Sequence, residues 1–111
     1  GAEFVKGLDV KRIVRVFQKG MDKGVDSYSG FFDNGHKNAT GLGDYLKLQK
    51  VIEVYVVGLA TDYCVKFTSV DAVGLGFKTF LITEACKGVN LSDGDVQRAI
   101  AEMAKAGVAI Q

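Results

Sequence analysis

The sequence predicts an α/β fold, a parallel sheet with helices on its faces, and three observations carry that expectation. Stretches of strand character and of helical period alternate along the chain, in the order strand, loop, helix, strand, helix, strand, helix, strand, which implies right-handed crossovers between parallel strands. Val54 to Val57 is an unbroken apolar run, the pattern of a parallel strand covered on both faces. The last helix carries start and stop signals at its two ends, Ser92 with Asp95 before it and Lys105 with Gly107 at its close.

Residues 1–11 show no clear period and read as a loop. Residues 12–17, RIVRVF, are apolar and β-branched enough for a short strand, ending at Gln18-Lys19-Gly20. Residues 20–40 are dense in Gly, Asp, Asn and Ser, with Tyr28, Phe31 and Phe32 embedded. So long a loop is unusual in a compact domain and tends to be functional, and its aromatics predict that it packs over something. Leu42, Tyr45, Leu46 and Gln49 fall at helical spacing, so a short helix is expected over residues 40–50. A strand follows over 53–59, then a helix to about residue 75 with Val65, Thr68, Ala72 and Leu75 on one face and Gly74-Leu75-Gly76 as its stop. Residues 78–83, KTFLIT, are the next strand and 84–88 a turn. Val96, Ala99, Ile100 and Met103 repeat at the spacing of an amphipathic helix, and residues 107–110 begin or complete a final strand.

The junction at residues 58–64 is where chemistry is expected. The chain turns at Gly58-Leu59-Ala60, offers Thr61 and Asp62 as caps, and continues as a helix from about Tyr63, which places Cys64 in the first helical turn. Unpaired backbone N–H groups and the positive end of the helix dipole lie there, and a thiol in that position is biased towards its nucleophilic thiolate. Away from such an elbow a cysteine is ordinarily a small buried hydrophobe, which is the reading given to Cys86. Backbone N–H groups of Ala60 and Cys64 are candidates to hold a developing oxyanion. Open α/β sheets place their sites beyond the carboxyl ends of the strands. Gln18-Lys19, residues 59–64 and residues 84–87 all fall at such ends, so they could share one crevice. Most of the 14 cationic residues should simply be solvated, and only its position singles out Lys19. Asp62 reads as a cap. Tyr28, Phe31 and Tyr63 suit either a core or the walls of a flat apolar pocket. His36, in a polar loop, reads as exposed.

Composition narrows the function classes. The chain has 111 residues, 48% hydrophobic and 24% charged, with a formal net charge of +1 and scattered basic residues, so neither nucleic acid nor membrane is an expected partner. No apolar run approaches the roughly 18 residues of a membrane span, and GAEFVKGLDV lacks the apolar core of a signal peptide; the expected location is cytoplasmic. Two cysteines are too few for a disulfide framework. The chain has 14 glycines and no proline and opens on Gly-Ala-Glu, which with the absence of a companion acid or histidine cluster near Cys64 suggests part of a longer domain.

Three motifs in order, VFQKGMDKGVDSYSGFFDN, GLATDYCVKFTSVDA and ITEACKGVN, closely resemble the bacterial nicotinamidases, also called pyrazinamidases, of the isochorismatase-like hydrolase superfamily, over essentially the whole chain. The resemblance implies a three-layer α/β/α domain with a six-stranded parallel sheet and hydrolysis of nicotinamide to nicotinate and ammonia in salvage of NAD. The reaction it implies uses a Cys, Lys and Asp triad beside a divalent metal, zinc, iron or manganese. Cys64 matches the nucleophile and Lys19 the catalytic lysine. Leu59-Ala60 matches a non-proline cis peptide that turns the N–H groups of Ala60 and Cys64 into the oxyanion hole, and Tyr28 and Tyr63 match positions bordering the substrate ring. The family's triad aspartate and its metal ligands precede the segment that GAEF resembles, so residues 1–111 are expected to be the carboxyl-terminal portion of one such domain, with no metal ligands of its own. The expected partners are nicotinamide or a similar small amide and the missing N-terminal portion, which a second chain could carry; homo-oligomerisation is compatible with the resemblance. Within the superfamily the alternative is an amidohydrolase of another small amide or a carbamoyl compound, isochorismatases being set aside because they lack the nucleophilic cysteine. An alternative of another class is a non-catalytic, truncated interaction module.

Overall fold

A computed structural model of the chain describes residues 15–19, 28–36 and 38–111. Helix α1 spans Leu42–Leu48, strand β1 Glu53–Leu59, a single π-helical turn Thr61–Val65, helix α2 Lys66–Gly74, strand β2 Lys78–Lys87, helix α3 Asp95–Ala106 and strand β3 Ala109–Ile110. The strands form a parallel sheet in the order β1, β2, β3. This is the parallel α/β arrangement expected from the alternation of elements.

Burial explains why the elements sit as they do. Val54 and Val56 of β1, with Thr79 and Leu81 of β2, point to the face that carries the helices. Under that face, Val65, Leu81, Ala99, Met103 and Val108 form one core cluster, and Phe31, Ala72 and Phe77 form a second, flanked by Leu42, Leu46 and Val54. Right-handed crossovers taken in the strand order β1, β2, β3 must place both connecting helices on the same side of the sheet. The described residues leave the opposite side open along β1, where Tyr55, Val57 and Leu59 are 57%, 55% and 73% exposed, while Phe80 and Ile82 of β2 are half-buried. The apolar run of β1 therefore has the composition of a strand covered twice, while the described residues cover only one of its faces.

Local signals held at most boundaries. Ser92 donates its backbone N–H to Asp95 Oδ2 at 2.8 Å, but the N-cap of α3 is Gly94, at a left-handed φ of 85° and with no side-chain cap bond, so the expected capping box tightens the turn before the helix rather than capping it. α3 ends at Gly107, whose φ of 113° is a left-handed cap that glycine accepts without steric cost. β2 runs four residues past its expected end, because Cys86 and Lys87 pair with Gly58 and Leu59 beyond an irregularity in the register; the predicted turn at 84–88 is thus largely strand. Residues 12–14 of the predicted first strand lie outside the described residues, and Arg15, Val16 and Phe17 are not in a strand. Phe17 instead packs its ring 5.3 Å from that of Tyr45 on α1, with the Arg15 guanidinium over both rings. No helix among the described residues is long and apolar enough to cross a membrane.

The described part of the long loop is anchored by its aromatics and by side-chain hydroxyls. Phe31 is buried and stacks on Phe77 at 6.1 Å. Thr68 Oγ1 on α2 accepts the Gly30 N–H at 2.8 Å, and the Thr40 hydroxyl donates to the Gly30 carbonyl at 2.7 Å. These contacts deliver Tyr28 to the flank of α2, beside the elbow that carries Cys64.

Candidate active site

The site is built at the carboxyl end of β1. The Leu59–Ala60 peptide bond is cis, and the Ala60 carbonyl accepts the N–H groups of Tyr63 at 3.1 Å and Val65 at 3.0 Å. The second of these is a five-residue return, so the chain enters the helix through a π-helical turn rather than through an ordinary α-helical first turn. Cys64 lies in this turn, half-buried, with its thiol free of any disulfide. Lys19 donates from Nζ to Cys64 Sγ at 3.3 Å, although 45 residues separate them in sequence.

Aromatic rings stand next to the sulfur-bearing turn. Tyr28 and Tyr63 have centroids 5.5 Å apart, tilted, and Tyr28 stacks on Phe67 at 5.6 Å. Phe67 was missed by sequence reading. Its signal was available, because it lies one helical turn beyond Tyr63 and so must share that residue's face. Lys66 Nζ lies 4.7 Å from the Phe67 ring centroid and 3.1 Å from Glu102 Oε2. His36 is exposed at its side chain, as expected, but is not idle: it stacks on Phe32 at 4.5 Å and faces Asp71 at 3.3 Å. Cys86 is half-buried, 3.3 Å from the Ile82 carbonyl.

Asp62 has a different task from the cap expected of it. The π-helical turn has no side-chain cap bond. The Asp62 carboxylate, buried at 7% exposure, accepts the backbone N–H groups of Val89 at 2.9 Å and Asn90 at 2.8 Å. Burial pushes its pKa up, while the N–H donors of Val89, Asn90 and Asp62 itself and the Lys66 charge pull it down, and the pull prevails. Asp95 is likewise held below the usual range, by the Ser92 N–H and by Arg98. A depressed folded-state pKa means stability that is present above the unfolded value of about 3.9 and is lost as the pH falls through the folded value. The urea midpoint should accordingly fall between pH 5 and pH 2, roughly the span of carboxylate titration. In Asp62→Asn it should be lower at pH 7 and vary less over that interval.

On the far flank of the turn, Asp62, Tyr63, Lys66, Asp95, Arg98 and Glu102 line a cleft of about 200 Å³. Its charges are used up internally, Lys66 with Glu102 and Arg98 with Asp95. Among the described residues no group of three or more His, Cys, Asp or Glu side chains is placed to hold a metal ion. The described residues therefore do not fit the divalent-metal site that the resemblance implies, and none of their chemistry is routed through one.

The profile of the isochorismatase domain matches residues 1–111. The chain belongs to this family. A nicotinamidase of Escherichia coli is 48% identical over 110 residues, which cover 99% of this chain and 52% of that protein. The crystal structure of an L. infantum protein in complex with nicotinate superposes with a TM-score of 0.93 at 35% identity, covering 100% of this chain and 55% of that one. A Pyrococcus horikoshii pyrazinamidase in complex with zinc matches at 35% identity with a TM-score of 0.66, over 78% of this chain and 44% of that one. The chain spans about half the length of the curated relatives it matches.

Proposed function

We propose that residues 1–111 are the nucleophile-bearing, carboxyl-terminal portion of one isochorismatase-like hydrolase domain, and that the complete domain is a nicotinamidase. The observation that carries this reading is the contact of Lys19 with Cys64 at the carboxyl end of β1, in a chain whose similar proteins include a nicotinamidase and a structure holding nicotinate. The substrate is nicotinamide, with pyrazinamide as a close analogue. The setting is the cytoplasm and the product feeds salvage of NAD.

In this reading the Cys64 thiolate attacks the carboxamide carbon, and the C–N bond breaks once the departing nitrogen has taken a proton, leaving a thioester and ammonia. Water then cleaves the thioester to nicotinate and regenerates the thiol. An aspartate of the missing portion accepts the thiol proton, and Lys19 holds the two charges in register. The N–H groups of Ala60 and Cys64 receive the oxyanion, each worth about 3 to 4 kcal/mol of barrier in comparable sites. Tyr28 and Tyr63 flank the pyridine ring. A divalent metal, zinc, iron or manganese, would belong to the missing portion.

The side of the sheet that the described residues leave open along β1 supports a missing portion on physical grounds. Helices can be brought to that side only by chain that extends the sheet from the free edge of β1, since crossovers in the other direction have already filled the first side. Covering Tyr55, Val57 and Leu59 would contribute about 1.5 to 3 kcal/mol for each apolar side chain fully buried. Ligands in doubly wound sheets bind where the strand order reverses, which in such an assembly is the end of β1, beside Cys64. Ammonia release from nicotinamide tests the reading. The purified chain alone should release none, and the chain supplied with the N-terminal portion of the domain should release it. Full activity of the isolated chain would overturn the assignment of the proton acceptor to another segment.

A further inference from the structure

We propose that Asp62 is a positioning residue for Cys64, its carboxylate clamping the π-helical turn to the connection between β2 and α3 and thereby holding Sγ against Lys19. The role assigned to Cys64 rests on the function proposed above; the clamp itself rests on geometry alone. Asp62 lies two residues before Cys64 in the same five-residue turn. Its two oxygens take separate partners, Oδ1 the Val89 N–H and Oδ2 the Asn90 N–H, so the carboxylate cannot rotate without giving up a bond. The connection it grips is itself fixed from α3, because Asn90 Oδ1 accepts the Val96 N–H at 3.1 Å. Gly88, the residue before this segment, comes so close that a Cβ there would overlap Val96 Cγ2 and stand 3.1 Å from Asp62 Oδ1. The turn is thus tied to α3 through Asp62 and the connection, whereas Lys19 approaches from the other side of the sequence. Hydrogen bonds to a charged acceptor are stronger than neutral ones, and burial keeps water from replacing them. The depressed pKa of Asp62 is consistent with a carboxylate that stays charged in this role.

The test reads Cys64 by its rate of alkylation with iodoacetamide at pH 7, in chains carrying Cys86→Ser so that one thiol reports, with the urea-unfolded chain as the reference and circular dichroism as the check of folding. Asp62→Ala removes both acceptors and should slow alkylation about tenfold, towards the unfolded reference, and Asp62→Asn, which keeps one acceptor, roughly threefold. Gly88→Ala displaces the connection while leaving the Asp62 charge in place, and should slow the reaction as well. Leu75→Ala, at the far end of α2 and in the other core cluster, should leave the folded protein's rate unchanged. Equal acceleration in Asp62→Ala and Asp62→Asn would mean that only the charge matters and would overturn the clamp, as would slowing by Leu75→Ala equal to that by Asp62→Ala. If Asp62→Ala does not fold, Asp62→Asn and Gly88→Ala decide, and unchanged rates in both overturn it. Nicotinamide hydrolysis by the chain with its complementary portion is measured in parallel: no hydrolysis together with the expected alkylation pattern would remove the proposed function and leave the clamp standing.

Discussion

Cys64→Ala is expected to lower nicotinamide hydrolysis by the assembled domain on the order of 10⁴- to 10⁶-fold, the loss that accompanies removal of a covalent nucleophile. Lys19 donates to the Cys64 sulfur, and an ammonium has no lone pair with which to replace it as the attacking atom. Cys86→Ser supplies the contrast. Its sulfur donates to the Ile82 carbonyl at 3.3 Å and, more weakly, to the Val56 carbonyl at 4.0 Å, and a hydroxyl can reproduce the first, so its activity should stay within about twofold of the parent, as for an ordinary substitution away from a site. Steady-state ammonia release, normalised to folded protein, checks both. Activity surviving in Cys64→Ala would sink the thioester route, and loss in Cys86→Ser would move the chemistry to the wrong sulfur.

The placement of Cys64 was legible because its signal is local: an apolar strand, a tight glycine turn and a helix start leave little freedom in where a side chain five residues past the strand can point. β1 was legible for the same reason, with its observed bounds at Glu53 and Leu59. What sequence reading missed depends on distant partners. The extension of β2 to Lys87 exists because Gly58 and Leu59 offer backbone groups to pair with, and no property of residues 84–87 announces that. Asp62 shows the limit most clearly. An acid just before a helix is the signature of a cap, and the same acid can instead turn away to the N–H groups of Val89 and Asn90, 27 and 28 residues on. Local composition cannot distinguish these uses, because what decides is how closely the connection after β2 approaches, which Gly88 permits.

These partners have a common consequence for chemistry. The sulfur-bearing turn belongs to a rigid continuation of β1, while both groups that set its position, Lys19 and the Asp62 anchor, come from outside that element. A nucleophile held in this way keeps its distance to Lys19 only while the sheet, α3 and the connection between them hold together. Core stability and site geometry are therefore coupled.

Leu81→Ala should expose how one-sided that core is. Leu81 is fully buried between Val65, Ala99, Met103 and Val108, and it pairs with both neighbours, Val56 and Ile110. Truncating such a side chain leaves a cavity and costs about 2 to 5 kcal/mol, a large share of the roughly 5 to 15 kcal/mol that holds a domain folded. Phe80, the preceding residue, points to the other side of the sheet, where its ring stacks on the exposed Tyr55 at 4.7 Å. A larger side chain would ordinarily cost more to remove, yet Phe80 is only partly buried, so Phe80→Ala should cost less than Leu81→Ala, about 1 to 2.5 kcal/mol. Urea unfolding of the two variants measures the difference directly. In the assembled domain the order should narrow or reverse, since a covered Phe80 would then lose about 3 to 5 kcal/mol on truncation. If Phe80→Ala is already as damaging as Leu81→Ala in the isolated chain, that side of the sheet is not bare, and the physical argument for a complementary portion loses its main support.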